Sequence, residues 1–306
     1  SLVSFIVIQL PPGDFLTTYI ARRAEEDGMV DEALVEALRH RYGLDQPQYM
    51  RYLKWIGNIL QGEWGRSLEW DRPVKELIGT RIGLTFVISL TTLLIGWLIA
   101  FPVGIYSAIR QYSVGDYIFT AISFIGRGIP DFLLALVFMY AIFKLFNYNP
   151  AGLFSQEYQE APWSMAKVVD LLKHLWVPVF VISVGSTAGL IRTMRANLLD
   201  ELNKPYVVTA RSKGLKENKL IYKYPVRVAL NPFVSTVGWA LPGLISGTTI
   251  VSIVLGLQTT GPLMLRALQS QDMYLAGSFL LLLSALTVVG TFLSDVLLAW
   301  LDPRIR

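Results

Sequence analysis

Cysteine is missing from all 306 residues, and histidine occurs only at His40 and His174. Without cysteine there are no disulfides, thiolate metal sites or thiol nucleophiles, and the compartment stays open. His40 precedes Arg41 in a polar segment and reads as a solvated surface residue; His174, at the entrance of an apolar run, reads as an interfacial anchor. Charge is scarce too. Asp, Glu, Lys and Arg make up 16% of the chain, against roughly a quarter in a soluble domain. There is no G-x-x-x-x-G-K-[ST] run, so the chain does not itself cradle a nucleotide phosphate. No nucleophile, base and orienter assemble from spacing, so no catalytic residue is assigned.

What is present is apolar length. The sequence is 53% hydrophobic with a mean hydropathy of +0.46, and several runs approach the ~20 residues that cross a bilayer core. The expected class is an all-α polytopic membrane protein. Residues 1–10 are apolar but cover only about half of a bilayer core at ~1.5 Å per residue, and no basic region precedes them as in a signal peptide. They read as part of a first span whose beginning is truncated, ended by Pro11, Pro12 and Gly13. Residues 11–83 balance acids against bases. They hold two amphipathic stretches, Glu25 to Leu38 and one with Tyr49, Tyr52, Leu53, Ile56 and Leu60 on one face. This is the pattern of an extracytoplasmic helical insertion.

Residues 84–306 form the membrane core. Spans are expected at Leu84–Ile109, Tyr117–Phe146 (interrupted by Gly126-Arg-Gly-Ile-Pro-Asp131, with a bend at Pro130), Leu175–Ile191, Phe233–Leu257 and Met273–Leu301, with Gly185 and Gly189 at small-xxx-small spacing. Counting the partial first span gives six transmembrane helices with both termini cytoplasmic. Basic residues concentrate between Arg192 and Pro232, which assigns that loop to the cytoplasmic side. The net charge of +4 thus reports topology and not nucleic-acid binding.

Two features carry the functional argument. Arg127 and Asp131 lie four apart inside the second complete span, next to Pro130. On a continuous helix they would share a face, either as a gate in a pathway or as a structural ion pair; Asp295 reads as a carboxylate near the inner interface. In the basic loop, Pro205 suits a first helical turn with Asn203 as its cap. Gly214 can take the left-handed conformation that closes a helix, and a second short helix follows from Lys216. By spacing alone this loop is either a lipid-attracted basic segment or a docking surface.

The residues Tyr206-Val-Val-Thr-Ala-Arg-Ser-Lys-Gly-Leu215, preceded by Arg192-Thr-Met-Arg195 and Leu198-Leu-Asp-Glu201, resemble the EAA loop of ABC-importer permeases. More narrowly, they resemble the dipeptide/oligopeptide-type permease family. Pro12-Gly13-Asp14, Tyr42-Gly-Leu-Asp-Gln-Pro47, Gly62-Glu-Trp-Gly-Arg-Ser67, Arg72-Pro-Val74 and Leu301-Asp-Pro-Arg-Ile-Arg306 extend the resemblance over most of the chain. It implies a type I ABC-importer permease fold in a bacterial or archaeal cytoplasmic membrane. It also implies coupling to ATPases through Thr209, Ala210, Arg211, Lys213, Gly214 and Leu215. The implied partners are a second homologous permease, two cytoplasmic ATPase subunits, an extracytoplasmic substrate-binding protein and membrane lipids. No cofactor belongs to this chain; ATP and Mg would be bound by the ATPases. Ser252 stands where the family commonly has an acid. Ser252, Arg127, Pro130 and Asp131 are therefore the candidate pathway or gate residues, and the expected substrate is a short peptide or an oligosaccharide. Nickel is the weaker option within the family, since no histidine cluster offers ligands. A secondary transporter is a competing class, but it calls for buried acid chains and inverted repeats that the sequence does not display.

Overall fold

The computed structural model describes residues 2–10, 15–17, 20, 32–41, 45–236, 243 and 248–301. Among them no strand forms, only an isolated antiparallel bridge between Arg66 and Pro73. The Pro12-Gly13-Asp14 and Tyr42-Gly43-Leu44 matches, the part of the Glu25–Leu38 stretch before Glu32, residues 237–242 and 244–247 of the expected Phe233–Leu257 span, and the tail after Leu301 lie outside the described residues.

The chain divides into two compact units, Ser1–Thr85 with Thr259–Ala285, and Phe86–Gln258 with Leu286–Arg306. The first contains α1 (Leu2–Gln9), α2 (Glu32–Arg41), α3 (Gln48–Leu60) and α13 (Thr260–Gln269). Its α3 is amphipathic, but only part of the expected face is buried: Tyr52 and Ile56 pack against the core. Trp55 is buried and packs with Phe5, Tyr52 and Met273, whereas Tyr49, Leu53 and Leu60 are exposed. The indole sets the rotation, because an aromatic ring of that size dominates burial energetics. Gly277 lets it in: a Cβ there would meet the Trp55 ring at 3.0 Å.

A buried carboxylate organises the rest of this unit. Asp272 accepts from the Ser67 hydroxyl, from the Leu68 N–H at 2.8 Å and from the Glu69 N–H at 3.2 Å; its other oxygen accepts from the Leu275 N–H at 3.1 Å. Asp272 thereby caps α14 (Met273–Leu301) and ties the Gly62–Ser67 region to the α13–α14 turn. The Gln258–Asp272 stretch is thus a packed helix and a cap.

Among the described residues three helices are long and apolar enough to cross a membrane: α4 (Val74–Ile109), α7 (Met165–Leu202) and Met273–Trp300 within α14. Both α4 and α7 overrun the expected spans. At ~1.5 Å per residue their 36 and 38 residues exceed the ~30 Å hydrocarbon core. The polar flanks are helical too, so Val74–Gly83 joins α4, and Arg192–Leu202, expected within the basic loop, is the end of α7. The expected Tyr117–Phe146 span is broken. It consists of α5 (Val114–Gly128) and α6 (Asp131–Phe146), bent by 99°. Pro130 explains the break: it forces Ile129 to extended angles (φ −89°, ψ 124°) and offers no N–H to continue the ladder.

Beyond α7 come α8 (Pro205–Ser212), α9 (Glu217–Lys223), α10 (Pro225–Ala229), α11 (Asn231–Ser235) and, further on, α12 (Thr249–Val254). Ile105 and Ala108 of α4, Met194 and Leu198 of α7, and Val207, Leu220, Ile221, Val226 and Phe233 form one buried cluster. Each fully buried side chain of this kind contributes about 1.5–3 kcal/mol. The short helices are therefore held by packing, since helices of this length are marginal alone.

Candidate functional site: a glycine-cornered surface and a broken span

Within the basic loop, α8 and α9 meet at a glycine corner. Pro205 opens α8, as expected, but the cap position is Lys204, without a side-chain bond. Asn203 is instead the C-cap that follows α7, its amide donating to the Leu199 carbonyl at 3.2 Å. The α7 helix simply runs further than sequence spacing suggests and takes Asn203 with it. The corner is Gly214, at φ +76°, with nothing within 4 Å of where a Cβ would stand.

The six residues singled out in the loop divide by face. Ala210 is buried in the cluster and Leu215 packs against it. Thr209 turns its hydroxyl back to the Pro205 carbonyl at 2.9 Å, and Lys213 is exposed at the helix end. Arg211 is half exposed and forks onto Glu217 across the corner, with Nε 3.1 Å from a carboxylate oxygen. That hydrogen bond raises the guanidinium pKa and lowers the Glu217 carboxyl below its ordinary value. The result is a small rigid platform, apolar underneath and basic on top.

The second constellation sits at the break. Arg127 ends α5 and Asp131 begins α6, so they do not share a helix face as expected. Each charge instead stands at the helix end that suits it, a cation at a C-terminus and an anion at an N-terminus. With Pro130, Gly185, Ser186 and Thr248 they line a cavity of about 340 Å³. The glycines of α7 explain the approach. A Cβ on Gly185 would lie 2.7 Å from Asp131 Oδ1, and one on Gly189 would lie 3.7 Å from Arg127 Nη1. The small-xxx-small pair receives charged side chains, while helix-to-helix closeness is made at Gly126, opposite Val184 and Ala188. Ser252 is buried in α12 and is not among the cavity's lining residues. Among the described residues no group of three or more His, Asp and Glu is placed to hold a metal.

One pair was not foreseen. Asp116 accepts both guanidinium bonds of Arg195, each 2.8 Å, while also accepting from the Tyr112 N–H at 3.0 Å. The available signal was a Ser113-x-x-Asp116 cap at the foot of one span and an arginine at the foot of another.

Broken, apolar, charge-bearing spans beside a basic, glycine-cornered surface are the pattern of a polytopic membrane protein. The comparisons narrow this. Residues 100–306 match the family described as binding-protein-dependent transport system inner membrane component. The oligopeptide transport system permease protein AppB of Bacillus subtilis is 34% identical over 307 aligned positions, covering 100% of this chain and 94% of the relative. OppB, the oligopeptide transport system permease protein of Mycobacterium tuberculosis, is 29% identical over 90% of this chain and 86% of its own length. The peptidoglycan transport system permease protein YejB of Agrobacterium fabrum is 28% identical over 90% and 77%. The chain belongs to the family of binding-protein-dependent transport inner membrane components; it is a permease component of an ABC importer.

Proposed function

We propose that this chain forms half of an ATP-driven import pathway for short peptides. Its partners are a second homologous permease, two cytoplasmic ATPases that bind ATP and Mg, and an extracytoplasmic substrate-binding protein. The observation that carries the reading is the α8–α9 platform. A basic surface stiffened by Arg211–Glu217 and cornered at Gly214 suits insertion into a moving partner, and a rigid element can pass on domain closure. Thr209, Arg211 and Lys213 present that surface, while Ala210 and Leu215 anchor it to the span beneath. The gate is the broken α5–α6 span, where Arg127, Pro130 and Asp131 meet the glycine face of α7. Discontinuous helices with charged ends suit a transport path. Oligopeptide names among the relatives favour peptide over oligosaccharide as cargo.

The topology that accompanies this reading has six spans, both termini cytoplasmic and residues 11–83 outside. Two experiments test it. The chain, co-reconstituted with its partners, should accumulate radiolabelled tri- to pentapeptides only with ATP and binding protein; uptake of oligosaccharide alone would displace the peptide assignment. A cysteine at the exposed Glu63 should react with an impermeant maleimide from outside intact cells, and reaction only after lysis would overturn the orientation.

A further inference from the structure

The Asp116–Arg195 pair has no place in either constellation, yet it stands between them. Arg195 follows Met194 and precedes Leu198, both fully buried in the cluster that holds α8 and α9. Its partner lies in the first turn of α5, the helix whose other end carries Arg127 and the break. The turn joining α4 to α5 is fixed from several sides. Ser113 Oγ accepts from the Asp116 N–H at 3.2 Å, the Tyr112 N–H donates to the same carboxylate, and the Thr120 hydroxyl reaches its other oxygen at 3.4 Å. The Tyr106 ring lies so near Gly115 that a Cβ there would sit 2.6 Å from the phenol oxygen, and Tyr106 meets Phe119 edge to face. Only 3% of the Asp116 side chain is accessible.

The α5 helix is therefore fastened to α7 at both ends, by the ion pair at its foot and by Gly126 against Val184 and Ala188 near its top. We infer that Asp116 and Arg195 are positioning residues that make α5 and α7 move as one body, so that displacement of the α8–α9 platform arrives at the Ile129–Pro130 break. This rests on the coupling reading above. With the pair intact, the short turn between α4 and α5 cannot take up the motion; without it, the platform and α7 move while α5 lags. A bidentate guanidinium–carboxylate fork suits this role because it fixes orientation as well as distance.

The test uses the assembled complex and a reporter at the break. Gly128 has open space where a Cβ would stand, and this chain has no cysteine of its own, so Gly128→Cys is a tolerated label site. Its reactivity with an impermeant maleimide is compared in nucleotide-free and vanadate-trapped complexes. In the parent we expect about a tenfold difference, within the range of ordinary coupling. In Asp116→Asn the difference should shrink to about twofold while ATP hydrolysis persists, with Arg195→Lys intermediate. Loss of one partner strands a buried charge, so Asp116→Leu/Arg195→Leu, which removes both, is run alongside. A full reactivity difference in that assembled double variant would overturn the inference. So would loss of assembly in both variants, which would assign the pair to folding alone. Peptide uptake is not needed for this readout; a parent complex that switches at Gly128→Cys but carries no peptide would refute the substrate assignment and leave the link standing.

Discussion

Substituting Gly214 isolates backbone conformation from packing. The residue sits at φ +76°, and no atom lies within 4 Å of where a Cβ would stand, so a side chain added there meets no crowding. What remains is the left-handed backbone cost, roughly 1–2 kcal/mol for an ordinary L-residue. Asparagine, which visits this region readily, should pay least, and a β-branched valine most. The helices on either side are anchored by Val207, Ala210, Leu220 and Ile221, so the strain should open the corner and leave the helices standing. An alanine variant should raise the open population about 5- to 30-fold, the ratio that one to two kcal/mol commands. Hydrogen exchange across residues 205–223 should report this, fastest for Gly214→Val, then Ala, then Asn. In the reconstituted importer the same order should appear as ATP hydrolysed per peptide carried, with assembly unchanged. Equal exchange and equal coupling in the Asn and Val variants would refute the argument, because they differ chiefly in tolerance of positive φ.

Three further outcomes follow from other sites. Gly185→Ala should displace Asp131, since its Cβ would fall 2.7 Å from the carboxylate oxygen, and uptake should drop to the level of Asp131→Asn; Gly189→Ala, at 3.7 Å from Arg127, should be silent in the same assay. Burial raises the Asp272 carboxyl above its ordinary 3.8, outweighing the bonds from Ser67, Leu275, Glu69 and Leu68. The folded state then holds the proton longer than the unfolded one, so its stability contribution is full below 3.8 and declines as pH rises through the raised value. Asp272→Asn should flatten that slope and cost about 1–3 kcal/mol by leaving a buried donor unpaired, read by thermal unfolding in detergent. At the platform the sign reverses. Glu217 is lowered by Arg211, so the support it gives the corner is present above its ordinary value and fades as pH falls, and Glu217→Gln should remove that dependence from exchange at residues 205–223.

The α4, α7 and α14 spans and the glycine corner were legible because each rests on local rules. Apolar length gives the membrane helices, and Pro205 with Gly214 bounds α8 through proline's missing N–H and glycine's open φ. The errors arose where a neighbour decides. The i,i+4 spacing of Arg127 and Asp131 implied a shared face, but Pro130 restricts Ile129, and that single restriction broke the helix. The buried face of α3 turned on Trp55 finding Gly277 far along the chain, which no window of sequence displays. Asp116 with Arg195 and Ser67 with Asp272 are likewise pairings across long separations, visible beforehand only as isolated polar residues at the ends of apolar runs.

These misplaced and missed residues converge on one helix. Unbroken from Met165 to Leu202, α7 presents Gly185 and Gly189 to the charges at the break, Arg195 to the foot of α5, and Met194 with Leu198 to the platform. Pro178 lies inside it, on the far side of Gly185 from the platform, so the stretch from Gly185 to Leu202 contains no proline. At ~1.5 Å per residue that stretch covers about 25 Å, more than half the ~40–45 Å thickness of a bilayer with its headgroups. A helix without a hinge over that distance transmits displacement where a loop would dissipate it. A proline placed between Gly189 and Arg195 should separate the two constellations: it would disrupt the helix at a cost of about 3 kcal/mol, leaving platform and break each formed but ATP hydrolysis no longer linked to reactivity at Gly128→Cys. Retained linkage in an assembled Thr193→Pro complex would show that motion reaches the break by a route other than α7.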